Sequence, residues 1–289
     1  LAAHSHLATE VIYSFRKMKR ERRAMTDEQQ ILDLLARWDG QQEGYIEQRE
    51  ERFDVMFEIL SATHGDGFTV VDAACGPGSL SQRLLKRFPA VRVIALDADV
   101  MLLEMARVAL APYAARVRVV EADLADPSWT AKVMEAARSL SAPAPAALVS
   151  TTALHWLSPG DLAEFYGAAG ELLVPGGIVM NGDHMQFDAR WPTLKSVAGI
   201  VRQRAEREAV KNGEDDWAAW WERAGQIPRL APLKAVRDAF YAARPAKRAA
   251  SGEDCSVDFH VAALRHAGFT EVGTTWQMLD NYIVFGRRP

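Results

Sequence analysis

The chain has 289 residues, of which 49% are apolar and 25% charged, with a formal net charge of −4. These values describe a globular protein long enough to bury a large core. The slight acid excess argues against a protein that grips nucleic acid by neutralising phosphates, and no run of eighteen apolar residues is present to span a membrane. Cys75 and Cys255 cannot build a disulfide framework and no Cys/His spacing reads as a zinc site, so no metal and a reduced, cytoplasmic setting are expected.

Residues 1–24 begin without Met and carry a basic cluster of Arg16, Lys17, Lys19, Arg20, Arg22 and Arg23. The charges follow the modest apolar stretch, the reverse of a secretory signal. Met25 precedes Thr26-Asp27-Glu28-Gln29, a capping box ahead of Ile31, Leu32, Leu34, Leu35 and Trp38. Residues 1–24 are therefore expected to be an extension ahead of the natural beginning, with a surface helix and a nucleic-acid-binding arm as alternatives.

Ile46, Phe53, Phe57 and Leu60 predict a further helical face. Thr69–Ala73 is a short β-branched run that predicts a buried strand, and Ser79-Leu80-Ser81-Gln82 offers a second capping box for a helix with Leu80, Leu84, Leu85 and Phe88 on one face. Strands are predicted next at 91–96, 117–120, 147–150 and 178–180. Helices between them start near Asp99, Ser128 and Ser158-Pro159. Alternation at this spacing implies an α/β, doubly wound fold with a parallel sheet covered on both faces. Residues 185–256 carry helical but no strand signal and hold Trp191, Trp217, Trp220 and Trp221, so they are expected to form an inserted helical cap. A helix at 257–267 and two strands near 271–277 and 281–286 then return, close enough to form an antiparallel hairpin. The core domain is accordingly expected at 25–184 and 257–289.

Asp72-Ala73-Ala74-Cys75-Gly76-Pro77-Gly78 stands between a strand and a helix, where glycines let backbone approach a ligand and the helix start offers free N–H groups. Asp97 ends the second strand, where an acid can accept from both ribose hydroxyls, and Asp123 ends the third, where it can accept from an adenine amino group. A dinucleotide site is the rival. Ser81 stands where its third glycine would be, and Asp72 would repel a pyrophosphate while suiting a ligand that bears an ammonium and a sulfonium.

With these residues in order, the sequence resembles the class I S-adenosylmethionine-dependent methyltransferases over roughly residues 38–184 and 257–286. Residues 70–78 resemble the family's first motif, Leu96-Asp97-Ala98 its second, and Glu121-Ala122-Asp123-Leu124 its third. Ser150-Thr151-Thr152-Ala153-Leu154-His155-Trp156 stands at its fourth, and Leu172–Gly177 at the turn before the fifth strand. The resemblance implies a seven-stranded Rossmann-like sheet of order 3-2-1-4-5-7-6 with strand 7 antiparallel. It also implies S-adenosyl-L-methionine as donor and S-adenosyl-L-homocysteine as product. The fourth motif lacks the Asn/Asp-Pro-Pro-Tyr/Phe signature of enzymes that methylate base amines, so a small-molecule acceptor is expected, aromatic or apolar and of secondary metabolism. An RNA or protein methyltransferase and a non-catalytic donor-binding subunit are the alternatives; the state expected is a monomer or homodimer.

The donor site implied comprises Tyr45, Arg49, Asp72, Ala73, Gly76, Gly78, Asp97, Ala98, Asp123, Leu124, Ser150 and His155. Tyr45 and Arg49 would clamp the donor's amino-acid end, with Arg52 as a rival and a solvated face as the plainer reading. His155 and His184 are the candidate catalytic bases, and the Asp183–His184 neighbourhood could orient one of them; either histidine could instead be a core residue. Trp156, His184, Trp191, Trp217 and Trp221 are the candidate acceptor contacts. The i, i+3, i+4 spacing of Trp217, Trp220 and Trp221 equally describes a helix-packing stripe.

Overall fold

A computed structural model of the chain describes residues 25–243 and 255–289. The expectation for residues 1–24, and that for the cap between 244 and 254, fall outside them.

Thr26 caps the first helix, α1 (Asp27–Tyr45), through the capping box its sequence announces. The chain then kinks at Gln48, which adopts φ 57°, before α2 (Arg49–His64). Four strand–helix units and a fifth strand follow: β1 (Thr69–Ala73), α3 (Ser79–Arg87), β2 (Arg92–Asp97), α4 (Val100–Leu110), β3 (Val117–Glu121), α5 (Trp129–Ser139), β4 (Ala147–Thr151), α6 (Pro159–Leu172) and β5 (Ile178–His184). Three helices then leave the sheet, α7 (Pro192–Lys211), α8 (Trp217–Gly225) and α9 (Ala231–Ala242). The chain returns through α10 (Val257–His266), β6 (Glu271–Met278) and β7 (Asn281–Arg287).

The seven strands form one sheet in the order β3-β2-β1-β4-β5-β7-β6. β7 runs antiparallel to both β5 and β6, and His184 stands opposite Asn281 in the β5–β7 register. Strand β1 is buried along its whole length because helices cover both faces, which explains why its sequence reads as a continuous apolar run and not as an alternation. One face packs Phe53, Leu60, Leu84, Phe88 and Leu103 from α2, α3 and α4. The other packs Trp129, Val133, Phe165, Tyr166 and Leu264 from α5, α6 and α10.

A third apolar cluster joins α1 to α8, the link after it and the start of α9. Ile31 and Leu34 of α1 meet Trp220, Ile227 and Leu230, with Met101, Leu102 and Met105 of α4 as the floor. Trp220 is fully buried and its Nε1 donates to Leu34 O at 3.1 Å, so the hydrogen-bonding end of the ring is satisfied inside the seam. Helices α8 and α9 thereby pack on α4, the helix that follows β2, whereas Arg202 of α7 reaches Asp280 in the turn between β6 and β7. Among the described residues, no helix is long and apolar enough to cross a membrane.

Candidate functional site

The loop after β1 is drawn across the top of the sheet by Cys75 N, which donates to Leu96 O at 2.9 Å. Gly76 has φ +55°, a conformation that L side chains rarely adopt, and a Cβ there would enter open space. Its N–H donates to Asp97 Oδ2 at 2.8 Å, and Asp97 Oδ1 accepts from Asp99 N at 2.8 Å. The capping box expected at Ser79–Gln82 does not form. Gly78 is the N-cap of α3, with no side-chain cap, while Ser79 Oγ is taken by Asp39 at 2.8 Å. The helix start is left without a side chain of its own over it, as an anion-accepting terminus needs.

Asp72 is 1% exposed and accepts from Ser81 Oγ at 2.6 Å. Burial raises its pKa to about 7, and burial raises that of Asp97 to about 6. Neither forms an ion pair among the described residues. Asp72 and Asp97 set two acidic groups at this end of the sheet, an arrangement of charge that suits a cationic ligand better than a diphosphate. Ala98 and Leu124 are half-buried at the same edge, and Ala73 is buried behind it. Asp123 Oδ1 accepts from Ala125 N at 3.1 Å. Ser150 is fully buried, and its hydroxyl donates to Ala73 O at 2.8 Å, which ties β4 to β1 and turns the group away from any ligand.

Tyr45 and Arg49 stand on either side of the α1–α2 kink. The Tyr45 phenol faces the Trp217 backbone, and burial raises its pKa. Arg49 is 4% exposed and pairs with Asp39 at 3.0 Å, the carboxylate that also holds Ser79 and Arg83 at the start of α3. Arg49 therefore braces α1 against the glycine loop.

A second constellation lies at the ends of β4 and β5. Asp183 Oδ1 meets His155 Nδ1 at 2.8 Å, and the same carboxylate accepts from His155 N at 3.1 Å and His184 N at 2.9 Å. The His155 ring first, and then Arg52 and His184, lower the buried Asp183 to a pKa of about 2 despite the cost of burial. The expected Asp183–His184 neighbourhood is thus resolved differently: Asp183 receives only the His184 backbone N–H, and the His184 ring turns to Glu47 at 3.5 Å. Adjacent strand residues point to opposite faces, so Asp183 could not present its carboxylate to the next side chain. Trp156 is 57% exposed with its ring 5.3 Å from that of His155.

The other tryptophans divide. Trp38 of α1 packs on Trp217 at 5.9 Å and on Trp220 at 4.8 Å, which makes that part of the stripe a helix seam. Trp221 carries the Arg237 guanidinium 3.5 Å above its ring, and Arg237 Nε donates to Asp99 Oδ2 at 2.7 Å. Helix α9 is latched by this contact to Asp99, two residues beyond Asp97. Trp191 lies elsewhere, in a cavity of about 520 Å³ with Phe187, Leu194 and Tyr282. Asp183 was expected to orient a histidine from beside His184; Glu47 and Thr152 were not expected to take part. An acid ending β5 repeats the pattern of Asp72, Asp97 and Asp123, and that was the available signal; Glu47 and Thr152 had none.

A family model described as a methyltransferase domain matches residues 70–177. The chain is 27% identical over 194 residues to a trans-aconitate 2-methyltransferase of Acidovorax ebreus (strain TPSY), a match covering 67% of each protein. It is 46% identical over 68 residues to a ribosomal RNA small subunit methyltransferase H of Mycolicibacterium gilvum (strain PYR-GCK), covering 23% of this chain and 18% of that one. The fold is that of an O-methyltransferase family protein from Burkholderia thailandensis, with a TM-score of 0.50 and 17% identity over 90% of this chain and 71% of that chain.

Proposed function

We propose that this chain, a class I S-adenosylmethionine-dependent methyltransferase, methylates an O–H group of a small molecule, with His155 as the base and Asp183 as its orienting partner. The observation that carries this reading is the 2.8 Å contact of His155 Nδ1 with the buried Asp183 carboxylate. When bound, the donor supplies a methyl already activated by its sulfonium. The Gly76 turn and Asp97 would hold the nucleoside, and Asp72 with Asp97 would balance the donor's positive charge.

Asp183 accepts from Nδ1–H and so leaves the lone pair on His155 Nε2. His155 Nε2 takes the acceptor's proton as the acceptor oxygen bonds the methyl and sulfur keeps the electron pair of the broken bond. Trp156 offers an apolar face beside that nitrogen, and α7–α9 with α1 exclude water, which leaves alignment as the protein's other contribution. A relative named for action on trans-aconitate supports an acceptor of small size. Acceptor libraries scored by mass spectrometry for a one-methyl gain with release of S-adenosylhomocysteine test this. Products are expected among hydroxyl and phenol compounds; methylation confined to RNA or protein would overturn it.

Two smaller effects check the donor half. Asp97→Ala is expected to weaken donor affinity by about 1–3 kcal/mol in calorimetry, the worth of its charged hydrogen bonds; an unchanged affinity removes Asp97 from the ribose site. Arg237→Ala should quicken donor release about tenfold in stopped-flow measurements, the worth of one charge-assisted contact. An unaltered rate would separate the Asp99 latch from donor binding.

A further inference from the structure

We propose that Tyr241, at the end of α9, is a further donor-binding residue whose ring covers the purine of the nucleoside, an inference that rests on the donor lying at Asp97. Tyr241 stands in the last turn of α9 and is 43% exposed. It is not a loose surface ring. The Arg237 guanidinium lies 4.7 Å from its centre and 3.5 Å from that of Trp221, so one cation rests on the rings of two helices. Arg237 and Tyr241 are four residues apart and share a face of the helix.

A chain of contacts runs from that ring to the ribose acid. Arg237 Nε donates to Asp99 Oδ2 at 2.7 Å, and Asp99 N donates in turn to Asp97 Oδ1 at 2.8 Å. The buried Asp99 also accepts on Oδ1 from Met101 N and Leu102 N at the start of α4, so its carboxylate is fixed in place. The Tyr241 phenol takes Asp99 as its own hydrogen-bond partner. Burial at the hydroxyl end, and then the charges of Asp99 and Asp97, push its pKa up.

Packing does not account for this arrangement. No residue of α9 is buried, and the helix meets the third apolar cluster only near its start, through Leu230 just before it and the half-buried Leu233. Holding Arg237 and Tyr241 still on such a helix costs side-chain entropy that a simple seam would not demand. What the contacts achieve is to fix a flat, half-exposed ring beside the acid that ends β2. The expected adenine contact, Asp123, follows the end of β3, which pairs with β2, and α9 packs on α4, the helix that joins those two strands. A purine offers a π-face to such a ring, and stacking asks only that the ring be held in position. Arg237 is thus the support and Tyr241 the contact.

Calorimetry and ultraviolet difference spectra of the full chain with S-adenosylhomocysteine test the contact without turnover. Tyr241→Leu is expected to weaken S-adenosylhomocysteine about tenfold, the low end of what base–aromatic stacking supplies. It should also diminish the loss of adenine absorbance that stacking produces. Tyr241→Phe keeps the ring and should retain both. A residue that only packs would not show this split, since leucine fills a helix seam as well as phenylalanine does. The native chain gives a second reading that needs no variant: photolysis with an azidoadenosyl analogue of S-adenosylhomocysteine should label α9, seen as a modified peptide by mass spectrometry. Labels confined to the loops after β2 and β3, with an unchanged affinity in Tyr241→Leu, would overturn the contact and leave Tyr241 a prop for Arg237. A native chain that binds no S-adenosylhomocysteine would overturn the donor-site reading itself, and this contact with it.

Discussion

His155→Ala is expected to lower kcat by about 10²–10⁴, the range for loss of a positioned general base, while leaving donor affinity in calorimetry close to native. The separation follows from the geometry. His155 stands at the end of β4 with its Nδ1 on Asp183, whereas the nucleoside acids Asp72 and Asp97 end β1 and β2. Asp183→Asn should cost nearly as much in kcat, because an amide can turn either face to Nδ1 and carries no charge to steady the imidazolium. The double variant should be little worse than either single one, since the pair acts as a unit.

Asp183→Asn also carries a stability penalty. The folded-state pKa of Asp183, about 2, lies below its unfolded value, so its stabilising contribution is present above the ordinary carboxylate range and lost as pH falls through about 2. Removing the charge forfeits that contribution at neutral pH, and Tm should fall for Asp183→Asn. Single-turnover kinetics with an identified acceptor give kcat directly. A native kcat in His155→Ala would mean that the acceptor sheds its proton before reaching the enzyme, as a carboxylic acid does, and would move the reaction to that acceptor class.

The sheet was legible in the sequence because parallel strands buried on both faces leave uninterrupted apolar runs, such as Val70-Val71 and Val93–Leu96, and because the acids that follow them have no packing role. The order of the last two strands came from resemblance, not from periodicity. What escaped reading is tertiary in each case. Ser79 carries a good local capping signal, yet Asp39, forty residues earlier in sequence, takes its hydroxyl. The Asp183–His155 pair spans 28 residues, and no spacing rule joins the two. Arg49 and Arg52 look alike on a helix, but one pairs with Asp39 of α1 and the other is buried against Asn281 of β7, partners that lie far from them in sequence or on another element. The tryptophan stripe satisfied two readings because α1, which supplies Trp38 and Leu34 to receive it, is some 180 residues away in sequence.

S-adenosylmethionine is expected to bind on the order of 100-fold more tightly at about pH 8 than at about pH 5.5. Its ammonium and sulfonium need anionic partners, and burial has raised Asp72 to about 7 and Asp97 to about 6 in the ligand-free site. Both folded-state values lie above the unfolded ones. The favourable contribution of the protonated forms to folding is therefore present at low pH and lost as pH rises through about 6 and then about 7, when ionisation sets two like charges in an enclosed crevice. A bound cation reverses that balance by favouring the ionised forms, so binding near pH 6 must release protons, and calorimetry in buffers of different ionisation enthalpy counts them. S-adenosylhomocysteine keeps the ammonium but lacks the sulfonium, so its affinity should depend on pH less steeply. Asp72→Asn should remove the part of the slope near pH 7 and keep the part near pH 6 that belongs to Asp97. A donor affinity that stays level over this span, with no proton release, would mean that these two carboxylates do not answer the donor's charge.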